Sequence, residues 1–300
     1  MPDLNNIIIN AALEALKESN GAAVILFLDA VGDWEIWKGV PDKKKLILVT
    51  QDGPAVEALK PFEKELCAAV KLPPVKLTRM GQIKLSIITC ITEGAVKNSD
   101  TVVCVSGLSG SGVLDEMVVL DLSKETEIIT ARGATQGFLK KVRPEVLEAV
   151  LNLSLELASE GREAKPLGAT FVIGDYAKVS ELSRPLIMNP FKGYPEDARN
   201  ILDEAVHETI KEFALLDGAF LVREDGVVMN AGVHLDAALE DEGHHLPGLG
   251  CRHMAAAGIT DVTDAAAITI SGSTGAVRVF KEGRIILEIE RPGQGARERR

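Results

Sequence analysis

The chain has 300 residues, 46% of them hydrophobic and 26% charged, which supports folded domains over disorder and is enough for one large domain or two ordinary ones. A formal charge of −11 and a pI near 5.1 exclude a general nucleic-acid or anionic-membrane surface, since both need a basic face. A small anionic ligand stays compatible, because a site needs only local positive charge and free N–H groups.

No apolar run approaches the roughly 20 residues of a membrane-spanning helix, and the N-terminal MPDLNNIIIN lacks the pattern of a signal peptide. Cys67, Cys90, Cys104 and Cys251 are scattered without a C-x-x-C, which is expected of buried thiols in a reducing cytoplasm. With only 4% aromatic residues, the core is expected to be aliphatic.

Residues 10–18 carry apolar residues at helical spacing, and Gly21 opens the run AAVILFL. A second apolar run, LILVT, follows at 46–50; residues 54–70 have a helical pattern, LSIITCIT suits helix or strand, and VVCV and MVVLDL suit strands. Short continuous apolar runs alternating with helical segments predict βαβ units and a parallel sheet covered on both faces, a Rossmann-like α/β domain. Around 121–143 the pattern breaks into polar, glycine-containing sequence, so the boundary is placed at 130–140, between domains at 1–130 and 135–295.

Pro144 opens a helix running to about residue 160. LGATFVIGD at 167–175 is a strand ending in a turn. A long amphipathic helix is predicted from Pro195, with Glu196 and Asp197 in its first turn and Leu202, Val206, Ile210 and Phe213 on one core face. AFLVREDGVVMNAG predicts a hairpin turning at Asp225 and Gly226. A helix around 252–258 and two strands, AAITISG and AVRVFKEGRIILEIE, complete a mixed sheet with flanking helices.

Several features invite chemistry. GLSGSG at 107–112 follows a strand and can present N–H groups to phosphate, but it lacks the G-K-[ST] ending of a P-loop and suits a structural turn better. His244, His245, Cys251 and His253 lie within ten residues yet match no common zinc spacing. Trp34 and Trp37 can stack on a base, or form an apolar contact between domains or subunits, which is the preferred reading. The densest constellation comprises Asp217-Gly218-Ala219, Val233-His234-Leu235, the run from Leu246 to His253, and Ser271-Gly272-Ser273-Thr274-Gly275. A carboxylate beside glycine can hold a divalent cation or take a hydroxyl proton. Gly250 ahead of a helix exposes N–H groups to anions, Arg252 and His253 add donors, and the Ser/Thr/Gly turn adds hydroxyls. Singly, an Asp-Gly pair is an ordinary turn and an Arg-His pair an ordinary surface feature.

Taken in order, DGA, V-H-L, G-x-R-H and S-x-x-T-G resemble the catalytic domain of diadenylate cyclases, which make cyclic di-AMP from two ATP. The resemblance extends through GATFVIGD, NPFKG and RVFKEGRII and covers roughly residues 135–290. The first half more loosely resembles the pyruvate-kinase C-terminal-like domain fused to the archaeal form of that enzyme, and is expected to build the oligomer or to bind a small regulatory ligand.

The resemblance implies that Asp217 acts on the ribose 3′-hydroxyl through bound Mn²⁺ or Mg²⁺ and is the metal ligand. It implies that Arg252 and His253 are catalytic and hold the triphosphate with Ser271, beside Thr274 and Gly275. Gly218, Ala219, Leu235, Gly250 and Cys251 are the further substrate-binding positions, Leu235 meeting adenine largely through its backbone. Each chain carries one such constellation and the product joins two nucleotides symmetrically, so at least a homodimer is expected. Three positions depart from the family pattern: Met254 stands for an arginine, Gly272 for an acidic residue and Cys251 for a frequent threonine. They keep a second expectation open, a catalytically silent sensor of ATP or a cyclic dinucleotide.

Overall fold

The five-residue runs AVILF and LILVT are buried at every position and form parallel neighbours, β1 (Ala23–Phe27) and β2 (Leu46–Thr50). Such uninterrupted burial is what strands covered on both faces require. In the computed structural model, which describes residues 4–31, 34–124, 142–160, 167–237 and 249–290, the chain divides into two compact units, Met1–Ile128 and Ile129–Arg300. The boundary expected at 130–140 lies outside the described residues.

The first unit has a five-stranded sheet in the order β3-β2-β1-β4-β5, with β3 at Ala68–Lys71, β4 at Thr101–Ser106 and β5 at Glu116–Asp121. β5 runs antiparallel to β4, so the expected parallel sheet acquires an antiparallel edge. On one face, Ile9, Ala12 and Leu16 of α1 (Leu4–Glu18) pack with Val24, Leu26, Val103 and Val105. LSIITCIT is helical and lies within α3 (Arg79–Thr92), whose N-cap Thr78 accepts the Gly81 amide at 3.0 Å.

The helix predicted over 54–70 is only α2 (Gly53–Leu59), followed by one 3₁₀ turn and then β3. Trp37 is fully buried inside this unit, edge-on to Phe62 with centroids 5.3 Å apart, which corrects the expected inter-domain contact. The side chain of Trp34 lies outside the described residues. In GLSGSG the Gly110 and Gly112 amides donate to the Asp29 and Ala30 carbonyls at 2.8 and 2.9 Å, so those donors are spent on closing a structural turn. Burial pushes the Cys90 thiol up to about 12 and raises Cys104 as well, as expected of inert core thiols. Cys67 is only half-buried and Cys251 is exposed, so both depart from that pattern.

The second unit has a seven-stranded sheet in the order β12-β11-β10-β6-β8-β9-β7. Its strands are β6 (Thr170–Ile173), β7 (Ser183–Pro185), β8 (Ala219–Val222), β9 (Val228–Leu235), β10 (Ala266–Ile270), β11 (Val277–Lys281) and β12 (Arg284–Ile289). Among the described strands of this sheet, only β6 and β8 pair in parallel. The β8–β9 hairpin turns at Gly226, whose φ of 94° is open to glycine, as the sequence indicated. AVRVFKEGRIILEIE is a hairpin rather than one strand, because Glu282 and Gly283 both take left-handed φ and reverse the chain.

α4 (Pro144–Glu160) packs against β10 and β11. The helix expected from Pro195 begins nine residues later as α6 (Glu204–Phe213), after α5 (Tyr176–Glu181). Residues 200–201 are drawn away to the β8–β9 turn, where Asn200 bridges Val227 and the Ile201 amide reaches the Gly226 carbonyl at 2.8 Å. Leu202 is consequently exposed, while Val206 and Ile210 are buried. Asp203 caps α6 by accepting the Ala205 amide at 3.0 Å, so Asp203→Ala is expected to cost about 1 kcal/mol in chemical denaturation. An unchanged midpoint would remove the cap from the account.

α7 (Cys251–Val262) lies over one sheet face, its Ala256, Ala257 and Ile259 packed with Val172, Ala219, Leu221, Val233, Leu235, Ala267 and Phe280. Residues of the other parity, Phe171 and Phe220, stack on the opposite face at 4.9 Å. Among the described residues, no helix is long and apolar enough to cross a membrane.

Candidate functional site

Four chain segments meet at one end of the second sheet. β6 and β8 start there, β10 ends there, and α7 begins above them. Asp217 precedes β8, and its carboxylate Oδ1 accepts from Arg252 Nη2 at 3.0 Å. The Asp217 side chain is 89% exposed and that of Arg252 37%, so the pair faces solvent and is available to a ligand. A Cβ on Gly168 would stand 3.0 Å from Arg252 Nη1 and 3.2 Å from the Gly272 amide nitrogen. Gly168 therefore lets the strand entry, the Arg252 side chain and the 271–275 turn crowd together.

Gly218 has φ of 106°, and a Cβ there would meet the Val233 nitrogen at 2.5 Å and the Gly232 carbonyl carbon at 2.6 Å. This glycine is what brings the Asp217 turn flush with β9. Ala219 and Leu235 are buried beneath α7, so their side chains serve the core and only their backbone is available to a ligand.

Gly250 is the N-cap of α7, and its carbonyl takes the His253 and Met254 amides at 3.0 and 3.2 Å. The Cys251 and Arg252 amides, as the first of the helix, lie outside its hydrogen-bond ladder and carry the positive end of the dipole. Ser271 is buried and its Oγ accepts the Thr274 amide at 3.2 Å, while Gly275 (φ of 71°) donates its amide to the Ser271 carbonyl at 2.8 Å. The Thr274 hydroxyl accepts the Ala276 amide at 3.2 Å. Both hydroxyls thus shape the turn.

His253 lies in the first turn of α7 but points inward, 6% exposed, with Nε2 3.1 Å from Arg278 Nη1. Burial, with the Arg278 cation beside it, pushes its pKa down from 6.5 to about 4. With the folded value below the unfolded one, the unfolded chain binds the extra proton, and the stability tied to the neutral ring is lost as pH falls from about 6.5 to about 4.

His244 and His245 lie outside the described residues, and Cys251 and His253 separate into an exposed and a buried side chain. Among the described residues no three His, Cys, Asp or Glu side chains cluster as metal ligands. Sequence reasoning missed Gly168 and Arg278. The second had a signal, a lone arginine inside the apolar strand AVRVF.

An exposed carboxylate, a paired guanidinium, uncapped helix amides and glycine-lined turns have the chemistry to receive an anionic, phosphorylated ligand. Comparison with known proteins gives the family. Residues 156–285 match the family described as DisA bacterial checkpoint controller nucleotide-binding, and residues 4–130 match one described as Probable sensor domain DacZ_P. A diadenylate cyclase of Methanocaldococcus jannaschii is 31% identical over 276 residues, 92% of this chain and 85% of that protein. A diadenylate cyclase of Haloferax volcanii is 34% identical over 223 residues, 74% of this chain and 79% of its own. The crystal structure of DacA from Staphylococcus aureus, 20% identical, covers 47% of this chain and 84% of that one with a TM-score of 0.30. The chain belongs to the diadenylate cyclase family.

Proposed function

We propose that the chain condenses two ATP into one cyclic di-AMP and two pyrophosphates. The observation that carries this reading is the meeting of Asp217 and Arg252, 35 residues apart in sequence and 3.0 Å apart in space, where α7 presents its first amides. Each ribose 3′-oxygen attacks the α-phosphorus of the other nucleotide, the bond to pyrophosphate breaks, and the hydroxyl proton passes to the Asp217 side of the site. Arg252 and the α7 amides hold phosphate oxygens, so the work of these residues is positioning and charge stabilisation. Gly218 and the Leu235 backbone border the nucleoside.

The exposed Asp217 carboxylate would hold Mn²⁺ or Mg²⁺ if such an ion bound here, since among the described residues no cluster of three protein ligands is present. Such an ion supplies neutralisation of phosphate charge and a more acidic hydroxyl. Two sites must face each other, so the active form is at least a homodimer, acting in the reducing cytoplasm that the scattered thiols indicate.

The test is incubation of the full chain with ATP and Mn²⁺, and separately with Mg²⁺, followed by nucleotide chromatography. Cyclic di-AMP is expected, with a specific rate that falls on dilution. Product from a strictly monomeric preparation at a constant specific rate would remove the facing-site requirement. No cyclic product across metals and pH would favour a silent nucleotide sensor, the outcome that Met254 and Gly272 keep in view.

A further inference from the structure

On the α7 face, strands β6, β10, β11 and β12 share one transverse polar row. Thr170 of β6 stands opposite Thr269 of β10, Thr269 opposite Arg278 of β11, and Arg278 opposite Glu288 of β12. Directly opposed residues share a face, and two residues further along the same face comes the apolar row of Val172, Ala267 and Phe280 packed under α7. The polar row is the one nearest the end of the sheet where Asp217 and the 271–275 turn emerge.

Arg278 joins this row to the site. One of its terminal nitrogens lies 3.1 Å from His253 Nε2 and the other pairs with Glu288. Thr170 Oγ1, Thr269 Oγ1, His253 Nδ1 and Arg278 Nε are all buried without a hydrogen-bond partner. Guanidinium nitrogens only donate, so at this contact Nε2 must be the acceptor and the ring proton must sit on Nδ1. The charged groups facing the ring among the described residues are Arg278 from β11, Glu288 from β12 and Arg252 from its own helix; β6 and β10 present uncharged threonines. Two cations against one anion disfavour an imidazolium.

We propose that Arg278, held by Glu288, is a positioning residue that locks His253 as the neutral Nδ1–H tautomer. The Nδ1–H, buried in this structure, is then the one oriented neutral donor that His253 can turn toward a phosphate oxygen, while Arg252 supplies the positive charge. A buried donor without an acceptor is costly, and an arriving phosphate oxygen relieves that cost. The phosphate role rests on the cyclase reading above; the tautomer does not.

The experiment is nitrogen-15 NMR of the full chain labelled at its five histidines, with His253→Gln assigning the resonance. A protonated Nδ1 and a bare Nε2, unchanged from about pH 8 to about pH 5.5, are expected. In Arg278→Met the ring should begin to titrate in that range. Its kcat should fall about tenfold or more, with the acid limb of the profile moving to higher pH, and Arg278→Lys should recover part of both. A wild-type ring protonated on Nε2, or titrating near its ordinary value, overturns the proposal whether or not Arg278→Met folds. Full kcat with an unmoved pH profile in a folded Arg278→Met chain overturns it too. The expected ring signature in a wild-type chain that makes no cyclic di-AMP upholds the lock and overturns the cyclase reading instead.

Discussion

Asp217→Asn is expected to reduce cyclic di-AMP formation by about 10²–10⁴-fold, the range lost when a positioned proton-transfer group is removed, while leaving the fold intact. Asparagine keeps the shape and one acceptor oxygen for Arg252, but loses the charge that would hold a divalent cation and receive the 3′-hydroxyl proton. Stability should change by less than about 1 kcal/mol, since the pair it weakens is solvent-facing. Product chromatography and a thermal melt on the same preparation check both halves. Full activity would take Asp217 out of the reaction, and a collapsed melt would make its role structural.

Gly218→Ala should act through the opposite route. The new methyl would lie 2.5 Å from the Val233 nitrogen and 2.6 Å from the Gly232 carbonyl carbon, and both belong to the β9 backbone, which cannot rotate aside. Its φ of 106° adds strain for any side chain. Displacing a strand and straining a turn together should cost about 2–5 kcal/mol, visible as a lowered denaturation midpoint, with loss of activity as Asp217 moves. Gly272→Ala is the matched control, because its Cβ would meet only ordinary contacts at 3.6 Å from Gly168. Equal midpoints for the two variants would mean that the close approach at Gly218 is absent in solution.

The sequence was most legible where one local signal acted alone. LILVT is a strand with the residues expected, because a short β-branched run bounded by polar residues has few other ways to be buried. The Asp225 and Gly226 hairpin follows from turn chemistry. Errors arose where helical spacing continued by coincidence. Val56, Leu59, Phe62 and Leu66 fall at spacings of three, three and four, yet the chain there leaves α2 to reach an edge strand. Leu202 likewise extends the spacing of Val206, but backbone bonds to the β8–β9 turn withhold it from the helix.

Of the candidate residues named from motif order, the structure brings Asp217 and Arg252 into contact and sets Gly250 at the N-cap beside them. The inward orientation of His253 was not legible, because it depends on Arg278 arriving from a strand 25 residues later. The role of Gly168 was hidden for the same reason: its neighbours are Arg252 and Gly272, and no local pattern records that approach.

The strand order of the second sheet also sets a schedule for synthesis. β6 has β8 on one side and β10 on the other, so after residue 173 has emerged its second edge has no partner until residues 266–270 are made. For that interval a nascent chain exposes an open, apolar strand edge, the kind of surface that recruits other chains. The turn after β10 and the hairpin bearing Arg278 come still later, so the end of the sheet where Asp217 and Arg252 meet closes after β6 and β8 are made. A ribosome-bound chain would therefore bring Asp217, Arg252 and Arg278 together only after residue 281 has emerged, and its exposure to misassembly is greatest before residues 266–270 are made.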